Sequence, residues 1–298
     1  MEKEFSYFFD WKSYSERAVM EYALAEFAEN GAKYIVVTHQ LLERFLNEPY
    51  FFFDMKDMVE RFGLKFKGCH GLWGSGVKDL NCEDRQYRQK SIDNHKLAMG
   101  YAADAGCREY VVHIGAVCCY RGYPCDIQKM RDLACQTLDQ LVPEAEKLGI
   151  IIAVENSFEP TNTADEVLYF INKFPSPHVG VCYDSGHANI MTSIGKDPSL
   201  YGKDLLYPWN DKIIFEDRTL EKLAPHIVTC HLHDNNGYSD RHDLPGTGTI
   251  CWETLIGRLS ECPRILSMQC EVSALSHRIP IRKLCTTFDG MKKYVKRP

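Results

Sequence analysis

Between Val228 and Gly248 the chain reads VTCHLHDNNGYSDRHDLPGTG, and imidazoles and carboxylates recur there two residues apart: His231 with His233, then Asp240 with His242. Val228–Leu232 is a short apolar run with the character of a buried strand. Side chains two apart on a strand leave the same face, so His231 and His233 point the same way. Pro245-Gly246-Thr247-Gly248 then breaks regular structure, and the periodic Trp252, Leu255, Ile256 and Leu259 start a helix. Imidazole and carboxylate are the ligands taken by divalent ions of hard to intermediate character, and a strand end is a usual place to present them.

The elements that deliver partners to this stretch are marked by glycine. Helical patterns closed by glycine and followed at once by a β-branched or aromatic run occur at Gly31, Gly63, Gly106 and Gly149, spaced 32, 43 and 43 residues apart. Glycine just past a helix accepts the left-handed conformation that stops it. Continuing the helix-then-strand unit predicts eight strands: Glu4–Phe9, Tyr34–Val37, Leu64–Gly68, Glu109–Ile114, Ile150–Val154, Val179–Tyr183, Val228–Leu232 and Ile265–Glu271. Ala134, Leu138, Leu141, Ala145 and Leu148 form the apolar stripe of one helix, which Pro143 is expected to kink by removing an amide donor. Continuously apolar strands alternating with helices predict an α/β fold, a closed (β/α)8 TIM barrel of parallel strands, as a single domain over residues 1–298. A doubly wound open sheet is the alternative, weakened because no Gly-x-Gly-x-x-Gly follows a strand. Two long aromatic loops, Ala116–Asp126 and Thr192–Lys212, are expected to act as a lid or a subunit contact.

Composition narrows the partners. The 298 residues are 45% hydrophobic, enough for one large core, and the net charge of −6 argues against a nucleic-acid surface, which needs a basic field. Thirteen cysteines without a C-x-x-C pair, and a start lacking signal-peptide form, lead to an expectation of reduced thiols in a cytoplasmic protein. No apolar run approaches the roughly 18 residues of a membrane span. The expected partner is a small sugar or polyol, and the aromatic loops favour a homo-oligomer.

In a parallel barrel the C-terminal strand ends open on one face, where reacting groups gather. The predicted strands place His70 after the third, His113 at the fourth and Glu155 at the fifth. Asp184 with His187 ends the sixth, His231 the seventh, with Asp240 and His242 just beyond, and Glu271 the eighth. Three carboxylates converging on one imidazole cannot all stay ionised without a cation. Glu155, Asp184, His231 and Glu271 therefore form a ligand set for a divalent ion such as Mn, Zn, Co or Mg.

The motifs Glu155-Asn156, Cys182-Tyr-Asp184-Ser-Gly-His187, His231-Leu-His-Asp234-Asn and Pro245-Gly-Thr-Gly248, with Glu271 on the last strand, resemble the xylose isomerase-like TIM-barrel superfamily of sugar-phosphate isomerases and epimerases. That resemblance implies one metal per chain on those four ligands, with Glu155 and Glu271 also the catalytic acid/base pair that acts on a hydroxy-ketone through an enediolate. It implies a substrate site in which His187, His70, Trp73 and Arg241 take part, with Lys67 a further candidate for a hydroxyl or phosphate. The aromatics Trp11, Trp73, Tyr120 and Trp209 are candidates to line a pocket, with packing at the barrel mouth the alternative for Trp11 and Trp73. The same superfamily includes abasic-site endonucleases with three zincs, and matching ligands here are His70, His113, Glu155, Asp184, His187, His231, Asp240, His242 and Glu271. A multi-zinc phosphodiester hydrolase is thus the alternative. This chain departs from it in reading Glu155-Asn-Ser-Phe-Glu159 and Asp184-Ser-Gly-His187, where the endonuclease pattern has Glu-Asn-Thr-Ala-Gly and Asp-Thr-Cys-His. A dehydratase of inosose or keto-sugar type shares the metal set, and a catalytically silent sugar binder is disfavoured by two facing glutamates.

Overall fold

The computed structural model describes residues 4–115 and 126–296. Its strands are β1 Phe5–Tyr7, β2 Tyr34–Val37, β3 Lys65–Cys69, β4 Glu109–Val112, β5 Ile151–Glu155, β6 Val179–Asp184, β7 Ile227–Leu232 and β8 Met268–Cys270. They pair in parallel in the order β3-β2-β1-β8-β7-β6-β5-β4, with helices between them around the outside. This is the (β/α)8 barrel expected from the glycine-punctuated repeat. All eight expected strands are present, β2 with the expected bounds and the others with shifted ends. β8 narrows from Ile265–Glu271 to three residues because its ladder extends no further than the short β1 beside it.

The four helix stops behave as glycine chemistry requires, with φ of 84, 73, 87 and 70° at Gly31, Gly63, Gly106 and Gly149. The helix Ile127–Leu148 runs unbroken through Pro143, its start capped by the Asp126 carboxylate. Asp126 is the described end of the Ala116–Asp126 loop; the rest of that loop, with Tyr120, lies outside the described residues. The loop Thr192–Lys212 folds into short helical turns around a small apolar cluster of Ile190, Met191, Tyr201 and Leu205. It buttresses the barrel mouth: the Trp209 indole N–H donates to the Phe158 carbonyl at 2.8 Å.

The barrel closes between β3 and β4 through a single parallel bridge, His70 with Val111, reinforced by the Gly71 N–H donating to the Val111 carbonyl at 2.9 Å. A side chain at Gly71 would place Cβ 2.4 Å from the Tyr110 ring and 2.5 Å from that carbonyl, so only glycine permits this approach. His70 is therefore fixed at the seam.

Inside the barrel, below the mouth, a polar relay crosses three strands. The Gln269 amide donates to the Thr229 hydroxyl at 2.9 Å, the Thr229 and Ser267 hydroxyls are 2.7 Å apart, and Ser267 donates to the Glu109 carboxylate. Burial pushes that carboxyl up, with the Ser267 bond opposing the shift. Thr229 and Gln269 each lie two residues before a site residue, His231 and Glu271. The same strand periodicity that stacks the relay therefore aims the site residues upward.

On the helix Arg85–Asp104, packed toward the seam, stands His95, fully buried. The Tyr110 hydroxyl accepts from the Leu72 N–H at 3.0 Å and donates to His95 Nδ1 at 2.9 Å, while Nε2 donates to the Lys78 carbonyl at 3.0 Å. One donor and one acceptor match a neutral imidazole and leave no place for a second proton. Burial pushes its pKa down to about 4, below the ordinary 6.5. Because the unfolded chain binds that proton first as pH falls, folding stability is full above 6.5 and declines as pH drops toward about 4. The loss is at most on the order of 3 kcal/mol. Urea unfolding between about pH 7 and about pH 4.5 should show this slope, and His95→Gln should flatten it; an identical slope in the variant would exclude His95 as its source.

Candidate functional site

Four neighbouring strand ends contribute to one cluster. Glu155 ends β5, Asp184 ends β6, His231 lies in β7, and Glu271 follows β8. His231 Nδ1 lies 3.1 Å from Glu155 Oε2 and 3.2 Å from Glu271 Oε2. The ligand atoms of Glu155, Asp184, His231 and Glu271 all lie within 4.8 Å of one another. At such distances aligned hydrogen bonds would be ordinary, yet His231 Nδ1, Glu155 Oε2 and Glu271 Oε2 are buried without a hydrogen-bond partner. Unpartnered atoms aimed at a common point are the disposition of ligands around a cation, so these four residues fit a divalent ion with oxygen and nitrogen donors.

Two further groups flank the first. His70 and His113 converge on Glu155, with His113 Nε2 3.0 Å from Glu155 Oε2. On the other side Asp240 sits 3.5 Å from His187 Nε2 and 3.3 Å from His242 Nε2, and His233 joins the same group. Three imidazoles are oriented in the same way. Nδ1 of His70, His187 and His242 faces the backbone carbonyl of Gly71, Asn156 and Glu271 respectively, at 2.9, 3.0 and 2.9 Å. A carbonyl only accepts, so Nδ1 carries a proton and Nε2 is the nitrogen turned toward the site, the orientation that second partners impose on ligating histidines.

The electrostatics follow from the crowding. Burial by itself would push the Glu155 carboxyl up, but His113 and His231 outweigh it and hold it well below the usual range. Burial opposes the shift at Glu271 too, and that carboxyl is held down chiefly by His231. Burial opposes protonation of His242, and Asp240 overrides it, raising the imidazole to about 10. At His70 burial, together with its neighbours His113 and His231, outweighs the opposing pull of Glu155 and Glu271 and takes the imidazole down to about 4. The carboxylates thus draw positive charge onto the adjacent rings; a bound cation would supply it directly.

The second half of the cluster owes its position to Asp234, a fully buried residue just past β7. Its carboxylate accepts from the Asn235, Gly246, Gly248 and Ile250 amides at 3.0, 2.9, 3.0 and 3.3 Å and from the Trp252 indole at 2.9 Å. Paired backbone bonds between Asp234 and Asp243, both 2.8 Å, then fold the intervening loop back across the mouth, carrying Asp240 and His242 with it. His233 has a steric counterpart as well: a Cβ on Gly186 would lie 2.0 Å from its ring, so the Gly in Asp184-Ser-Gly-His187 makes room for His233. That ring stacks on His242 at 3.8 Å and bonds to Asp184 at 3.1 Å.

All nine ligand candidates read from sequence meet here. Together with Trp73 and Arg241 they line or adjoin a cavity of about 410 Å³. Arg241 is half-exposed and held by Asp243 at 2.8 Å. Lys67 is elsewhere, its ammonium 4.9 Å over the Tyr34 ring at the start of β2. Trp209 supports the wall from behind, and Trp11 packs on Phe9 at 4.3 Å. Missing from the sequence reading is His39, which stands just past β2; the buried Asn156 and Glu159 have no role there, although both stand in its quoted motifs. His39 obeys the same strand-end rule that identified the others. Asn156 clamps β5 to β6, accepting from the Asp184 N–H at 2.9 Å and donating to its carbonyl at 3.1 Å.

Among known proteins, the profile of the xylose isomerase-like TIM barrel matches residues 24–273. A protein of Methanocaldococcus jannaschii is 28% identical over 139 residues, which cover 45% of this chain and 41% of that relative, so the match spans less than half of either. A D-tagatose 3-epimerase-like protein superposes with a TM-score of 0.68 at 18% identity, covering 98% of this chain and 96% of that one. The 3-keto-D-glucoside 4-epimerase of E. coli gives 0.70 at 14% identity, covering 98% and 99%. A Thermus thermophilus protein soaked with ZnCl2 gives 0.64 at 20% identity, covering 99% and 100%.

Replacing Asp234 by Ala should strand the Trp252 indole in the interior and unpair the Gly246 and Gly248 amides at the loop, costing about 3–5 kcal/mol in urea unfolding; a loss under about 1 kcal/mol would rule out this anchoring role. Independently, Mn²⁺ or Zn²⁺ should raise the thermal midpoint of the EDTA-treated chain, and Glu155→Gln should abolish most of that rise. Equal stabilisation of both proteins would place the ion elsewhere.

Proposed function

Because the chain belongs to the xylose isomerase-like TIM-barrel family, we propose that it is a metal-dependent isomerase or epimerase of a hydroxy-ketone sugar, worked by Glu155 and Glu271. The observation that carries this reading is the pair of unpartnered Oε2 atoms on those two glutamates, brought to one His231 nitrogen from β5 and from beyond β8. A divalent ion held by Glu155, Asp184, His231 and Glu271 supplies electrophilic polarisation of the substrate's carbonyl and adjacent hydroxyl oxygens.

The remaining chemistry belongs to side chains. One glutamate takes the carbon-bound proton and the other returns one; delivery to the opposite face inverts the carbon, whereas delivery to the neighbouring carbon isomerises the sugar. Glu271 is the more open of the two, 16% exposed against 1% for Glu155. His187, oriented by the Asn156 carbonyl, offers Nε2 to a substrate hydroxyl, and Arg241 stands at the mouth for another. A cavity of about 410 Å³ with aromatic and imidazole walls suits a molecule of sugar size. The sugar epimerases among the matching structures support the same reading.

A second reading is favoured by one observation, the two extra ligand groups around His70–His113 and around His187–Asp240–His242. Filled with zinc, they would suit phosphodiester hydrolysis. Elemental analysis separates the two: one ion per chain accords with the epimerase, and three zincs together with cleavage of an abasic-site duplex would replace it with the hydrolase.

Screening ketopentoses and ketohexoses in deuterated water should yield a product carrying solvent deuterium at the inverted carbon or, for an aldose–ketose change, at the newly protonated one. Glu155→Gln and Glu271→Gln should each lower kcat by about 10²–10⁴-fold. Turnover that survives both substitutions would remove the glutamates from the reaction.

A further inference from the structure

A second cavity, of about 630 Å³, adjoins the first and shares His39, Gln40 and Trp73 with it. The path between them is a line of rings: His70 lies 5.4 Å from His39, and His39 lies 5.8 Å from Trp73. The two cavities are therefore neighbours across this one wall.

The second cavity has the opposite charge character to the first. Its charged lining consists of Lys12, Arg44 and Lys78 against one carboxylate, Glu43. Glu43 is taken up by Lys78 at 2.7 Å, and Arg44 reaches Glu48 at 3.3 Å. Lys12 is exposed and has no ion-pair partner among the described residues. In a chain of net charge −6, this is a local excess of cations.

Two polar atoms on the same lining are buried without a hydrogen-bond partner: the Trp11 indole N–H, a donor on a residue only 5% exposed, and Gln40 Oε1, an acceptor. Leaving such groups unmatched is unfavourable, and a ligand is one way to satisfy them. The first turn of the helix His39–Asn47, whose Leu41 amide is taken by the Thr38 hydroxyl, lies on the same wall and presents the positive end of the helix dipole, the sign an anion prefers. Cations and an N–H donor call for an anionic group; the Gln40 acceptor calls for a hydroxyl beside it.

We propose that this cavity holds the phosphate or carboxylate end of an extended acidic sugar whose hydroxy-ketone end reacts at the Glu155–Glu271 cluster. The assignment deepens the isomerase reading and rests on it for the identity of the reacting end, while the anion site stands on the second cavity alone.

The test uses the full chain with its metal complement and follows tryptophan emission from Trp11 and Trp73. Inorganic phosphate should perturb the emission saturably, and Lys12→Glu should weaken that binding at least tenfold while leaving the unfolding midpoint in place; Lys12→Gln serves as the milder partner. Fructose 6-phosphate should displace the phosphate at concentrations where fructose does not. Acetate displacing it more readily than phosphate itself binds would identify the acidic end as a carboxylate. Phosphate binding that ignores both Lys12 variants would locate the anion at the metal cluster and overturn the proposal, as would an absence of phosphate and acetate binding. Should the anion site behave as described while no ketose is turned over, the subsite stands and the isomerase reading falls.

Discussion

Two carboxylates, Glu155 and Glu271, held within hydrogen-bonding distance of the buried His231 imidazole yet not aligned to bond it, with a third, Asp184, within 4.8 Å, define the constraint around which this barrel is built. Glu155, Asp184 and Glu271 repel one another in a site shielded from water and can all stay ionised only with positive charge beside them. Without an ion, the surrounding rings take it up as protons, which is why His113, His187, His231 and His242 are all raised despite burial that opposes it. The imidazole ring around the acids is thus part of their stabilisation as well as a reserve of ligands.

Holding such a cluster requires a scaffold that does not relax. The barrel provides one by placing each acid at the end of a strand whose lower residues are locked in the core, as Ile151 and Ala153 are below Glu155 and the Gln269–Thr229–Ser267–Glu109 relay is below His231 and Glu271. Backbone carbonyls then orient the rings of His70, His187 and His242, and Asp234 gathers five donors to hold the returning loop. These second partners contribute no ligand atom, but they keep the ligand nitrogens directed to one place.

The two cavities divide the mouth by charge. The inner one concentrates acids with imidazoles, while the outer one, across the His39–Trp73 wall, gathers lysine and arginine in an otherwise acidic chain. Such a division suits a molecule with chemically distinct ends better than it suits a uniform polyanion, whose backbone would have to cross the carboxylate cluster.

The sequence by itself determined the alternation of helix and strand, because left-handed glycine stops and apolar runs are local properties, and it determined which residues stand at strand ends, because parallel strands in a barrel must open on one face. Hence all nine ligand candidates, from His70 to Glu271, could be named in advance. It did not reveal His233 beside Gly186, Asp234 as the anchor of a loop, or Lys67 turned down onto Tyr34, since each depends on which side chain arrives opposite from a distant part of the chain. Tertiary structure alone decided how the candidates sort into three adjoining groups and where the cations collect. Distances between strand ends are set by barrel closure and packing, and neither is written in the spacing of residues along one strand.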